Sequence, residues 1–286
     1  MPNERGLGYD SPADMHPVTF CTWNLKTPGG KSASESALPP TRVDLIREVL
    51  QSPSPVVMAM QEVTPGYARS LAPLGLHHSL SFRRPGEFDG GNRMLGVGLL
   101  TSGDVEVRDV GVVQRAPFPD RTLTADIQVA GVAIHVLAFH SLTGVGFRAA
   151  KHAQFRALAE HLAGRAGHTL FLGDANEPCV DARDPEHIAC WDRNGDKGAG
   201  AALLFGPTPV HGLVDAWRQS LSIEAWAALP NDGPLAVSHF ANGRPCRYDF
   251  IYVPSSWDVV EMSYDMQRAT DAGSDHALVV ARVGIQ

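Results

Sequence analysis

An aspartate and an asparagine two residues apart, Asp174 and Asn176, follow the apolar run Thr169 to Leu172 and Gly173. A run of that length, bounded by Gly173 and then Pro178, suits a strand covered on both faces. The end of such a strand aims both polar side chains at one point in a cleft. There the carboxylate can take a proton from water, and the carboxamide can hold an oxygen of the group under attack. Alone, Gly-Asp-x-Asn is also an ordinary turn composition. The arrangement recurs, however, at the ends of other apolar runs. Trp23-Asn24-Leu25 closes the first, Gln61-Glu62-Val63 the second and His140-Ser141-Leu142 a middle one. Asp249 lies inside Arg247 to Ile251, and Ser274-Asp275-His276 opens the last. A carboxylate inside an apolar strand needs a specific partner, because an unpaired buried charge is costly.

These residues must be delivered by strands and held by helices. Val18 to Trp23, Pro55 to Met60, Leu76 to Phe82 and Leu95 to Leu100 read as strands. Val105 to Val113, Thr122 to Val129 and Val132 to Phe139 alternate as half-buried antiparallel strands do. Arg247 to Val253 and Ala277 to Val283 complete the set. Thr41 is expected to cap a helix with apolar residues at Val43, Ile46, Val49 and Leu50. A second helix carries Phe155, Leu158, Ala159 and Leu162 on one face, and a third Leu213, Val214, Trp217 and Leu221. Lys26 to Pro40, Arg83 to Met94, Ala116 to Arg121 and Cys179 to Gly198 read as loops. This order predicts two sheets with helices outside, in one domain from 18 to 286 behind a polar tail at 1–17.

At 286 residues, with 44% hydrophobic and 19% charged residues, the composition is that of a soluble globular protein. No apolar run approaches a membrane span, and the polar N-terminus lacks the core of a signal peptide, so a cytoplasmic protein is expected. Cys21, Cys179, Cys190 and Cys246 form no Cys-x-x-Cys pair and are expected to be reduced. A net charge of −7 argues against a protein that grips nucleic acid through its overall field. Local basic patches remain open, and Arg83, Arg84 and Arg93 are the candidates. Asp192 to Asp196 reads as an Asp/Asn/Gly turn, since it fails the calcium-loop pattern at Lys197 and Leu203.

Taken in order, the six motifs resemble those of the endonuclease/exonuclease/phosphatase superfamily, the DNase-I-like fold, from about residue 18 to the C-terminus. Gly212 to Arg218 is similar to that family's late helix. The resemblance implies an α/β four-layer sandwich, two packed mixed sheets flanked by helices, with a phosphoester cleft at one edge. It implies Glu62 as the main ligand of a hard divalent cation, Mg²⁺ or alternatively Mn²⁺, with Asn24 at or near the same ion. Asp275 is assigned either a metal contact or the orienting of a neighbour. Asp174 would activate or orient the attacking water, and Asn176 would hold a non-bridging oxygen. His276 would donate to the phosphoryl group, with Asp249 fixing its ring, and His140 would lie near the leaving group or the phosphate. Lys26 stands where some relatives carry a second acidic residue, which puts a two-metal arrangement in doubt and makes it a candidate phosphate contact. The expected activity is a metal-dependent phosphoester hydrolase, of nuclease-type phosphodiesterase kind. The alternatives are a phosphatase of a nucleotide, phosphoinositide or small metabolite, and a retired enzyme serving as a binding module.

Overall fold

The computed structural model describes residues 16–28, 34–82, 94–191 and 198–285. Arg83, Arg84, Arg93 and the Asp192 to Asp196 turn lie outside the described residues, as do 1–15 of the N-terminal tail.

Period-two alternation sorts the side chains of the central strands into two layers each. In β1 (His16–Asn24) Val18 and Phe20 point one way, and Cys21 and Trp23 the other. In β8 (His168–Asp174) Leu170 and Leu172 join Val18 and Phe20, while Phe171 faces away. The two sheets therefore share one apolar layer, and each has a second face for helices to cover.

The first sheet has six strands in the order β13-β14-β1-β2-β4-β3. Besides β1 these are β2 (Val56–Val63), β3 (His77–His78), β4 (Gly96–Thr101), β13 (Asp258–Asp265) and β14 (Leu278–Ile285). The second sheet also has six, in the order β5-β6-β7-β8-β12-β9. They are β5 (Glu106–Gly111), β6 (Thr122–Val129), β7 (Val132–His140), β8, β9 (Leu213–Asp215) and β12 (Asp249–Pro254). β1 and β2 run parallel, as do β7 and β8, while the other pairs are antiparallel, so both sheets are mixed. A hairpin of β10 (His239–Ala241) and β11 (Arg244–Cys246) stands apart.

Helices α1 (Pro40–Leu50), α2 (Pro65–Leu71) and α6 (Met266–Asp271) cover Trp23, Met58 and Met60 of the first sheet. Helices α3 (Gly144–Ala163) and α4 (Ala199–Phe205) cover Phe139 and Phe171 of the second with Phe155, Leu158 and Phe205. Helix, sheet, sheet, helix is the four-layer sandwich expected from the sequence. The registers bring the polar strand ends together: Asn24 stands beside Gln61, His140 beside Asp174, and Asp249 opposite Asp174.

Three local expectations are corrected. The first helix begins at Pro40 behind Pro39, and Thr41 lies inside it, donating its hydroxyl to Ala272 O. Leu76 to Phe82 is not one strand: after β3 the chain turns into a 3-10 helix at Ser79–Phe82. There the buried Ser79 hydroxyl accepts from Val97 N, replacing a ladder bond with a side-chain one. Leu213 to Leu221 is a short strand and a short helix, because Leu213 and Val214 pair with Pro254 and Val253. Asp215 then caps α5 (Ala216–Ser220) by accepting from Trp217 N.

One glycine is indispensable to the delivery of Asp174. Gly173 has φ +147°, and a Cβ there would overlap the carbonyl oxygen of Phe139 on the neighbouring strand. Gly173→Ala is expected to lose about 1–3 kcal/mol in denaturant unfolding, with activity falling further than stability. Wild-type stability in that variant would show that β8 is free to shift.

Candidate active site

The same small turn ends the central strand of each sheet. Asn24 Oδ1 accepts from Lys26 N at 3.0 Å, and Asp174 Oδ1 accepts from Asn176 N at 2.9 Å. In both, the residue two positions on has a left-handed backbone, φ 50° at Lys26 and 48° at Asn176. Each turn clamps its own polar side chain, leaving one atom of each to meet across the gap. Asn24 Nδ2 donates to Asp174 Oδ2 at 2.9 Å, joining the ends of the two sheets. Lys151 on α3 supports the second turn, donating to Asn176 O at 3.0 Å and pairing with buried Glu177 at 2.8 Å.

Glu62, next to last in β2, has a left-handed backbone, φ 58°. Thr27 holds it twice: Thr27 N donates to Glu62 Oε2 at 2.5 Å, and the Thr27 hydroxyl donates to Glu62 O at 3.0 Å. Behind these loops lies buried Arg42, which donates to the carbonyls of Leu25, Lys26, Ala272 and Gly273 and to Tyr67 Oη. It thereby ties the turn after β1 to the turn before β14. Ser274 Oγ donates to Asn24 O at 2.6 Å, and Trp23 Nε1 to His276 O at 3.2 Å.

His276 is held on both its edges and one face. Its Nδ1 is 2.9 Å from Asp249 Oδ2, and its Nε2 is 3.9 Å from Asp174 Oδ2. The His239 ring stacks on it at 4.2 Å and 20°. Asp249 is steadied in turn by Ser238 Oγ, which accepts from Tyr248 N and Asp249 N. His140 Nε2 lies 3.6 Å from Asp174 Oδ2, and its Nδ1 lies 2.7 Å from Arg121 Nη1. Asp275, half exposed, pairs with Lys26 Nζ at 3.1 Å.

Together the strand ends line a cavity of about 260 Å³ whose walls include Asn24, Glu62, Arg121, His140, Asn176 and His276. Burial raises the Asp174 carboxyl well above the usual carboxylate range; the positive His276 opposes this and Asp249 reinforces it. Burial pushes His276 down, but Asp249 and Asp174 outweigh it and hold the imidazolium above neutral pH. Burial also pushes Asp275 up, and Lys26 and His276 together bring it below its ordinary value.

Among the described residues, two groups bring three ligand atoms within 4.8 Å of one another: Asp174, Asp249 and His276, and His239, Asp275 and His276. Both use His276, whose Nδ1 already faces Asp249. The hard oxygens of Glu62 and Asn24 stand on the same cavity, a donor set that suits a hard cation keeping several waters.

The sequence profile of the Endonuclease/Exonuclease/phosphatase family matches residues 21–276. The chain belongs to that family. No curated protein sequence matches it significantly. Among solved structures it is similar to a humanized D. rerio TDP2, with 15% identity and a TM-score of 0.62 over 94% of this chain and 100% of that one. ANGEL2, a 2',3'-cyclic phosphatase in complex with adenosine-2',3'-vanadate, gives 14% identity and 0.61 over 96% and 97%. D. rerio TDP2 complexed with single strand DNA product gives 17% and 0.59 over 94% and 99%. At these identities the likenesses show the DNase-I-like fold. The family makes the chain a metal-dependent phosphoester hydrolase, of nuclease or phosphatase type.

Asn24, Glu62, His140, Asp174, Asn176 and His276 all reach the cavity, Asp249 stands behind His276, and Lys26 and Asp275 pair beside it. Sequence reasoning missed Arg121, His239 and Ser238 in this family member. Arg121 ends the loop that precedes β6, and nothing in its own position distinguishes it from the rest of that loop. Ser238-His239 lay beside the Asp249 strand, and its signal was a polar pair before a buried carboxylate.

Proposed function

We propose that the chain is a Mg²⁺-dependent phosphodiesterase of nuclease type, in which Asp174 takes the proton of a water attacking phosphorus in line. The observation that carries this reading is the Asn24–Asp174 hydrogen bond, which fixes a buried carboxylate at the meeting point of both sheets. Because burial raises its proton affinity, that carboxylate is a better base than an exposed one.

Glu62 would be the principal ligand of the cation, with the amide oxygen of Asn24 at or near it; Mn²⁺ would serve in place of Mg²⁺. When bound, the ion neutralises phosphate charge and stabilises the leaving oxygen. Lys26 occupies one oxygen of Asp275, so we assign Asp275 to orienting Lys26 toward a substrate phosphate rather than to a second metal. Asn176 holds a non-bridging oxygen, and His276, oriented by Asp249, donates to the phosphoryl group as an imidazolium. His140 faces the leaving group. Arg83, Arg84 and Arg93 are proposed from the sequence alone as contacts to further phosphates. We place the protein in a reducing compartment such as the cytoplasm, where thiols such as the buried Cys21 and Cys246 stay reduced.

A nucleic-acid substrate is supported by the fold's likeness to a TDP2 that holds a single strand DNA product. A second reading, a phosphatase of a nucleotide-sized molecule, is favoured by the net charge of −7 and the cavity of about 260 Å³. The two separate on salt. With Mg²⁺, cleavage of a single-stranded oligonucleotide is expected to fall steeply as salt is added, and hydrolysis of a mononucleotide to change little. Chelator should abolish either activity, and activity that survives it would overturn the reading. Glu62→Gln is expected to raise the Mg²⁺ concentration for half-maximal rate by about tenfold or more, at unchanged melting temperature.

A further inference from the structure

We infer that Arg121 is a positioning residue that fixes His140 as its Nε2–H tautomer, so that His140 meets the substrate as a neutral hydrogen-bond donor. The inference rests on the phosphodiesterase reading and deepens it. Arg121 closes the 3-10 turn Pro119–Arg121 just before β6, and its Nη1 stands 2.7 Å from His140 Nδ1. A guanidinium carries N–H donors, no acceptor, and stays protonated. In this bond Nδ1 must therefore accept, and it holds no proton. A neutral imidazole with a bare Nδ1 has its one proton on Nε2, which stands 3.6 Å from Asp174 Oδ2. An imidazolium at 140 would set a second N–H against the guanidinium, donor against donor and charge against charge. The ring is only 5% exposed, so water does little to screen that clash.

The contrast with His276 is what gives the arrangement its use. Both rings turn Nε2 toward Asp174 Oδ2, at 3.6 and 3.9 Å, and they differ in what faces Nδ1. A carboxylate faces Nδ1 of His276 and favours the charged form; a guanidinium faces Nδ1 of His140 and favours the neutral one. One histidine then brings charge to the phosphoryl group, and the other brings direction without charge. His140 consequently does not protonate the leaving group as an imidazolium.

The side-chain amide of glutamine places its N–H near the imidazole Nε2 position, and that of asparagine near Nδ1. With bis(p-nitrophenyl) phosphate and Mg²⁺, His140→Gln is expected to keep kcat/KM within about tenfold of wild type, and His140→Asn to lose about a hundredfold or more. Arg121→Met is expected to lower kcat/KM by about tenfold, but to add little in the His140→Gln background, where no tautomer remains to be chosen. An equal loss in both backgrounds would overturn the inference, because Arg121 would then act on the substrate directly. Nitrogen-15 spectra of the wild-type ring need no variant to fold. They should show the proton on Nε2 across neutral pH, and a proton on Nδ1 would equally overturn it. If the wild type hydrolyses no phosphoester with any divalent ion, the functional reading fails while the spectra still decide the tautomer.

Discussion

Asp174→Asn is expected to lower kcat on a phosphodiester by about a thousandfold while the protein stays folded. The substitution removes the only proton-accepting charge that the turn after β8 aims at the cavity. It also disturbs geometry, in a way that the hydrogen bonds specify. Both carboxylate oxygens of Asp174 accept, one from Asn176 N and one from Asn24 Nδ2. An amide at 174 must set its NH₂ against one of those donors. Asn24 cannot turn over to compensate, because its own Oδ1 already accepts from Lys26 N. The loss should appear in kcat with KM little changed, and circular dichroism should be that of the wild type. Activity within tenfold of wild type would remove Asp174 from the mechanism.

The pH profile carries the same argument. Burial raises the Asp174 carboxyl, so its charged, base-competent form is lost as pH falls through a value above the ordinary carboxylate range of about 4. The acid limb of kcat/KM should lie correspondingly high, and should vanish from the residual activity of Asp174→Asn. At the other end, burial opposes the charge on His276, but Asp249 and Asp174 raise it overall, so the imidazolium survives above neutral pH. Asp249→Asn removes the larger of those two supports and should move the alkaline limb to lower pH.

Much of this site was legible because its polar residues sit at the ends of apolar strands, where the pattern changes over two or three residues. Asn24, Glu62, His140 and Asp174 are all of that kind, and period two told which neighbours faced which layer. Where local pattern was ambiguous, it misled. Leu213, Val214, Trp217 and Leu221 fit a helical face, yet Asp215 caps a helix that begins only after three strand residues. Ser79 looked like a polar position inside a strand and instead ends one by bonding Val97 N. Wholly illegible were the contacts whose partners are distant in sequence. His239 and His276 stack only because the β10–β11 hairpin folds back over the last strand, and Arg121 meets His140 only across β6 and β7. No spacing rule reports such meetings. The Lys26–Asp275 pair was half visible: each residue stood out by itself, Lys26 as a phosphate contact and Asp275 as a metal contact or an orienter, but their meeting did not.

Arg247→Met is expected to cost about 3–5 kcal/mol in denaturant unfolding, and to reduce activity without touching the substrate. The guanidinium is 1% exposed and donates to two aspartates at once. Its Nε and Nη2 reach Asp181 at 2.7 and 2.9 Å, and its Nη1 and Nη2 reach Asp215 at 3.1 and 2.7 Å. Arg218 shares both carboxylates, at 3.1 and 3.5 Å, so two cations balance two anions inside the protein. Removing Arg247 leaves a buried carboxylate without its charge partner, which is where the cost arises. The effect reaches the site because Arg247 stands two residues before Asp249, and Asp181 lies in the loop that leaves β8.

Burial raises the Asp181 carboxyl, but Arg247 and Arg218 outweigh it and hold it below its ordinary value. A depressed folded-state pKa means that this stabilisation is complete above the unfolded value, about 4, and is lost as pH falls through the lower folded one. Acid unfolding should therefore steepen there in the wild type and flatten in Asp181→Asn. The double variant Arg247→Met, Asp181→Leu removes one charge of each sign and leaves Arg218 paired with Asp215. It is expected to be more stable than Arg247→Met alone, because the penalty lies in the stranded anion rather than in the missing bonds. If the double variant is instead less stable by the sum of its parts, the network acts through packing, and the charge balance is incidental.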